Sequence, residues 1–159
     1  MTGTLRMRST RVSMPVDEWP PPERLRWENA KLPGALLDDD GSRAAHSRRS
    51  NKEMEKGWGR WKAWDAAQAD FDPAIPVSER IIPERVAAYA SDLHQANLPS
   101  TVVQRLIELK VMAGIIADPH KDWSWIYQIA SRVRVRCEPA RSKRDRLRNI
   151  VELWSLGLA

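Results

Sequence analysis

The stretch SRRSNKEMEKGWGRWKAW, residues 47–64, carries three of the chain's eight Trp at intervals of three, interleaved with Lys and Arg. Wound as an α-helix at about 100° per residue, it places Trp58, Trp61 and Trp64 within an arc of roughly 120°. Met54 falls inside that arc, and Phe71 would fall at its edge. This is the width of a core-facing stripe. A base-stacking platform would instead set its aromatics on an otherwise polar, exposed face. Sharing the face with Met54 favours the core. Arg48, Lys52, Lys56 and Arg60 recur at intervals of four and draw a basic row along another side. Like charges at that spacing repel by about 0.2–0.5 kcal/mol per pair, which Glu53 and Glu55 offset in part. Such a row is a solvated face or a phosphate-binding one, and for a single run the first is the ordinary outcome.

Outward from this helix, expected over 48–69 with Ser47 or Ser50 as N-cap, the chain reads as a series of helices divided by prolines. FDPAIPVSERIIP is a loop. A second helix spans 83–96, opened by Pro83 and striped with Val86, Tyr89, Ala90 and Leu93. NLPS breaks it, and Ser100 is placed to cap a third helix over 100–117. That helix buries Val102, Val103, Leu106, Leu109, Ala113 and Ile116 and shows Thr101, Gln104, Arg105 and Glu108 on its other side. After ADPHKD, Asp122 or Pro119 opens a fourth helix with Trp123, Ile126, Ala130 and Val133 on one face. Upstream, residues 1–18 lack periodicity and read as an arm. WPPPERLRWENAKL supplies a short helix over 22–31 anchored by Trp19 and Trp27. The pattern predicts an all-α, four- to five-helix orthogonal bundle with an irregular N-terminal arm. Its divisions are 1–45 for the arm, 46–136 for the helical domain, and 137–159 for a basic linker and a terminal apolar helix.

The 159 residues carry a net charge of +5 and a pI near 9.7, a balance that favours a polyanionic partner. A second basic cluster, from Arg132 to Arg148, holds eight Lys and Arg against Glu138 and Asp145. A segment this basic repels itself unless an anion occupies it, and nucleic acid is the obvious candidate. Cys137 is the only cysteine, which rules out an internal disulfide and fits a reducing cytoplasm. No apolar run approaches the ~20 residues that span a bilayer, so a soluble cytoplasmic protein without membrane partners is expected. His46, His94 and His120 are dispersed, Cys137 has no neighbour at metal-ligand spacing, and no Gly-rich phosphate loop occurs. DDD at 38–40, next to Gly41, reads as a solvated turn. No enzyme, cofactor, metal or small-molecule substrate is expected.

The order of segments is itself informative. A capped SRRSNKEMEKGWGRWKAW helix is followed by IIPERVAAYASDL, LPSTVVQRLIELKVMAGII, a DWSWI helix and a basic linker into a leucine-rich helix start. This order resembles the N-terminal core-binding, SAM-like domain of tyrosine recombinases (phage-type integrases), over roughly residues 17–159. It is most similar to forms with a "GYGRWLxWL" helix and an "xTPERVAAYVxxL" helix. The resemblance implies a helical bundle that clamps one side of a duplex in site-specific recombination. Strand exchange would belong to a separate domain with an Arg, a Lys, an H-x-x-R segment and a nucleophilic Tyr. None of these can be carried onto this chain, whose VELWSLGLA is similar to the first helix of that domain. Tyr89 and Tyr127 lie within apolar helical patterns and are not nucleophiles. By this resemblance the chain is the non-catalytic, DNA-binding portion of an integrase, close to the nucleoid. Ser50 stands for the usual Thr and Trp58 for a Tyr. Ile82 replaces a capping Thr, at about 1 kcal/mol of helix start. The Arg-rich third helix is thinned to Arg105 and Lys110.

Duplex DNA is therefore the expected partner. Arg48, Lys52, Lys56 and Arg60 are expected on phosphates, and Thr101, Gln104 and Arg105 in a groove, where Gln and Arg can read bases bidentately. Arg141, Lys143 and Arg144 are expected along the backbone where the linker crosses. Two alternatives compete. One is a protein-interaction module that pairs with full-length integrase subunits through its Trp-bearing faces or the terminal helix. The other is a small helix-turn-helix regulator built on 83–96 and 100–117, although NLPS lacks the usual Gly.

Overall fold

The computed structural model describes residues 12–35 and 41–136, and all regular structure within them is helical. A 3-10 turn at Val16–Glu18 precedes α1 (Pro21–Lys31), α2 (Arg48–Ala66), α3 (Val77–Arg80), α4 (Pro83–His94), α5 (Pro99–Met112) and α6 (Trp125–Arg136). The expected all-α bundle is thus observed, with α3 as an extra short turn inside FDPAIPVSERIIP. The start of the expected arm (1–11), the expected DDD turn within 36–40, and the expected linker and terminal helix (137–159) lie outside the described residues.

Helix starts follow the local chemistry. Ser47 caps α2, its hydroxyl accepting from the Ser50 amide at 3.1 Å, so Ser50 is the partner of the cap and not the cap. α1, α4 and α5 begin with Pro in the first turn, where a missing N–H costs nothing. The proline places the start of α5 at Pro99. Ser100 is therefore inside the helix, and no side chain caps Leu98. Ile82 likewise leaves α4 without a side-chain cap. Asp122 accepts from the Ser124 amide at 2.8 Å and shapes the turn that leads into α6.

α5 is the central helix, with α2, α4 and α6 packed around it. Val102, Leu106, Leu109 and Met112 are fully buried. So much of its circumference is covered that Glu108, expected on an open side, is only 1% exposed. α5 then widens into a π-helical turn, Ala113–Ala117, where the Asp118 amide reaches back to the Ala113 carbonyl at 3.0 Å. Arg26 of α1 donates to the freed carbonyls of Ile116 (2.6 Å) and Ala117 (3.1 Å).

The Trp stripe is core. Trp58 and Trp61 are fully buried, and Trp64 is half-buried. Trp61 meets Tyr89 edge-on with ring centroids 5.2 Å apart, and Trp64 lies 5.2 Å from the same ring. Trp19, Trp27 and Ala30 belong to this same core cluster, which makes α1 a member of the bundle and not of a separate arm. Residues 13–18 are also docked. The Met14 amide donates to the Gly59 carbonyl at 2.9 Å, and the Trp19 indole donates back to the Met14 carbonyl. Tyr127, expected inside an apolar pattern, is 41% exposed because α6 meets the bundle only through Ile126, Ala130 and their neighbours.

Candidate nucleic-acid interface

The basic row on α2 forms as spaced, but it is not straight. Four residues turn a helix through about 400°, so each member sits some 40° further round than the last. Arg48 and Lys52 begin on the solvent side and are exposed, with no carboxylate in ion-pair range among the described residues. Lys56 is exposed and pairs with Glu53 at 3.1 Å. This hydrogen bond, followed by the Lys56 charge, holds the Glu53 carboxyl below its ordinary range. By Arg60 the drift has reached the Trp side. Arg60 is half-buried, and its Nη1 lies buried with no hydrogen-bond partner among the described residues. The row therefore offers three solvated cations and one that belongs largely to the core edge. Arg49, outside the four-residue spacing, is also exposed and projects between Lys56 and Arg60 around the helix.

Two glycines set the limits of this face. A Cβ on Gly59 would stand 2.5 Å from Ser13 Oγ and also collide with the Met14 carbonyl. The docked residues 13–14 thus run across α2 at Gly59 and close the row at that end. A Cβ on Gly57 would stand 2.7 Å from Glu108 Cβ, so this glycine lets α5 approach. The sequence reading gave neither glycine a role, because their partners are remote in the chain.

On α5 the expected groove-reading trio separates. Gln104 is exposed and Thr101 half-buried, while Arg105 donates to both oxygens of buried Glu108 at 2.8 and 2.7 Å. Gln104 Nε2 also reaches Glu108 Oε1, at 3.4 Å. Arg105 is the neutralising partner of a carboxylate inside the bundle, and its guanidinium is not free to leave without exposing that charge. On α6, Arg132, Arg134 and Arg136 are exposed. Arg141, Lys143 and Arg144 lie outside the described residues.

Many other cations are consumed internally. Lys62 forms a buried pair with Glu23 at 2.7 Å, and Trp58 Nε1 donates to the same carboxylate at 3.3 Å. Asp65, 1% exposed, receives both Arg80 (2.8 Å) and Arg85 (2.6 Å), tying the end of α2 to α3 and α4. Burial pulls the Arg85 guanidinium down, but its bonds to Asp65 and Asp70 outweigh this and raise it. Arg43 is buried and donates to Ser50 Oγ (2.8 Å) and Asn51 Oδ1 (3.0 Å), its pKa lowered by burial. Among the described residues, the exposed cations without an acidic partner include Arg48, Arg49 and Lys52 on the N-terminal half of α2, Arg132, Arg134 and Arg136 on α6, and Lys121 in the 118–124 connection.

No group of three or more His, Cys, Asp or Glu gathers in metal-binding geometry among the described residues, and His46, His94 and His120 are all exposed. No helix of the described residues is long and apolar enough to cross a membrane. The chain matches no protein-family model, no curated protein and no solved structure.

Proposed function

We propose that this chain binds duplex DNA through the outward face of α2, as the non-catalytic core-binding part of a tyrosine-recombinase-type integrase. The observation that carries the binding is the contrast in pairing. Arg48, Arg49 and Lys52 are exposed and have no acidic partner among the described residues, whereas Lys62, Arg80, Arg85 and Arg105 are neutralised within the fold. Cations about 6 Å apart along a helix are suited to successive contacts with a phosphate backbone, and such contacts bind through counterion release. Lys56 joins them once Glu53 yields to a phosphate. Arg60 contributes at the edge only. The recombination context rests on the order of sequence segments described above.

With Arg105 engaged by Glu108, the reading is of backbone binding with little base readout: phosphate contacts position a protein but carry no sequence information. Gln104 is the remaining exposed α5 candidate for a base edge. The test is a titration of mixed-sequence duplexes by the wild-type chain across a salt series. The expected result is affinity that falls steeply with salt, with similar values for unrelated sequences. No binding at low salt, or binding indifferent to salt, overturns the proposal.

A further inference from the structure

A cleft of about 460 Å³ opens between the 41–46 turn, the end of α5 with its π turn, and the 118–124 connection. It is lined by Lys110, Lys121, Arg43, His46 and a single carboxylate, Asp122. Three features set it apart from ordinary basic surface. The first is how the lysines are held. Lys110 Nζ stands 4.9 Å from the centroid of the Tyr127 ring, and Lys121 Nζ 4.9 Å from that of Trp123. Ring faces position a cation without neutralising it, and neither lysine has a carboxylate within ion-pair distance among the described residues. Lys121 spends one donor on the Ser78 carbonyl at 2.9 Å, leaving two of its three for a ligand.

The second feature is the state of the opposing charges. Asp122 is turned into its own loop, where the Ser124 side chain and then the Ser124 amide bond its carboxylate; these bonds, with a smaller contribution from the Lys110 charge, hold its carboxyl below the ordinary range. The carbonyls at the end of α5, which would repel an anion, are covered at Ile116 and Ala117 by Arg26. The third feature is the wall. The π-helical turn Ala113–Ala117, which ends α5, borders the cleft through Gly114 and Ile115. A Cβ on Gly114 would meet only Trp123 Cδ1, at 3.9 Å. Packing does not demand glycine there, but its absence of a side chain keeps the cleft open.

We propose that this cleft binds a phosphate group, held by Lys110 and Lys121 with His46 alongside. The ligand is either free phosphate (or a phosphomonoester) or one backbone phosphate of a duplex. The second source is geometrically direct, because His46 precedes the Ser47 cap and the cleft therefore adjoins the Arg48 end of the α2 row. Phosphate binding in the cleft does not depend on the duplex reading.

The probe is inorganic phosphate, followed by amide and indole NMR signals of the full chain against sodium chloride at matched ionic strength. Saturating shifts at Gly114, Ser124 and the Trp123 indole with phosphate alone are expected. Lys110→Gln with Lys121→Gln should weaken them about tenfold or more. Gly114→Asp places a competing carboxylate among untouched lysines and should abolish them, while Arg24→Gln, a cation removed outside the cleft, leaves them as in the wild type. A duplex that displaces phosphate from these signals assigns the site to a backbone phosphate. A duplex that binds without touching them, or fails to bind, assigns it to a free phosphate and leaves α2 to its own test. Shifts equal to those with chloride, or unchanged in both the lysine variant and Gly114→Asp, overturn the proposal.

Discussion

Lys52 and Lys62 stand on the same helix and differ in almost everything that decides what a lysine does. Lys62 is buried against α1, with its ammonium 2.7 Å from Glu23 and a Trp58 indole sharing the carboxylate. Lys52 projects into solvent near the capped end of α2 with no acid beside it among the described residues. The difference teaches that the net charge of +5 is a poor guide to binding surface. Much of the basic content is spent on closing the bundle, and what bears on a partner is the remainder.

The largest expected effect breaks the buried side of this comparison. Lys62→Met leaves the Glu23 carboxylate buried and unpaired and should cost about 3–5 kcal/mol in urea unfolding, with much of it restored by adding Glu23→Leu. Lys56→Met, which removes the exposed pair to Glu53, should cost under about 1 kcal/mol. Equal losses would show that the Lys62 pair is wetter than its burial implies.

Next in size is Arg105→Gln, which strands Glu108 and should cost about 3 kcal/mol, while Gln104→Ala stays within about 0.5 kcal/mol. An Arg105 that reads bases would behave in the opposite way, with affinity lost and stability kept. Gly57→Ala should follow at about 1–3 kcal/mol of destabilisation, because the new Cβ strikes the Glu108 side chain. The sign is diagnostic, since the same change in an open helix gains about 1 kcal/mol.

The smallest effect concerns pH. Glu53 and Asp122 have carboxyls depressed by their hydrogen bonds to Lys56 and Ser124. Their contribution is present above the ordinary carboxylate range and is lost as pH falls through the lowered values. Thermal melts of the wild type should therefore drop in acid slightly more than those of Glu53→Gln with Asp122→Asn. Parallel profiles would remove these two groups from the account.

How much of this was legible depended on whether the relevant neighbours were local. Helix type, the Trp58–Trp61 core, the Ser47 cap and the Pro-marked starts follow from spacing within one turn or two. The inward drift of Arg60 also follows from helix geometry, once the row is treated as a spiral and not a line. Glu23, Lys62, Asp65 and Glu108 were not legible as core, because charged residues read as surface until a partner from another helix neutralises them. The roles of Gly57 and Gly59 lay equally out of reach, since each is explained by an atom that meets it only in the folded chain. The Lys110 and Lys121 cleft was hidden for the same reason, its walls coming from three separate segments.

The most direct test of the central claim compares the salt dependence of duplex binding in the wild type and in Arg48→Gln with Lys52→Gln, alongside their melting temperatures. Binding through the outward face of α2 predicts a log–log slope shallower by about two, one for each phosphate contact removed, with unchanged melting. A slope identical to that of the wild type would contradict it.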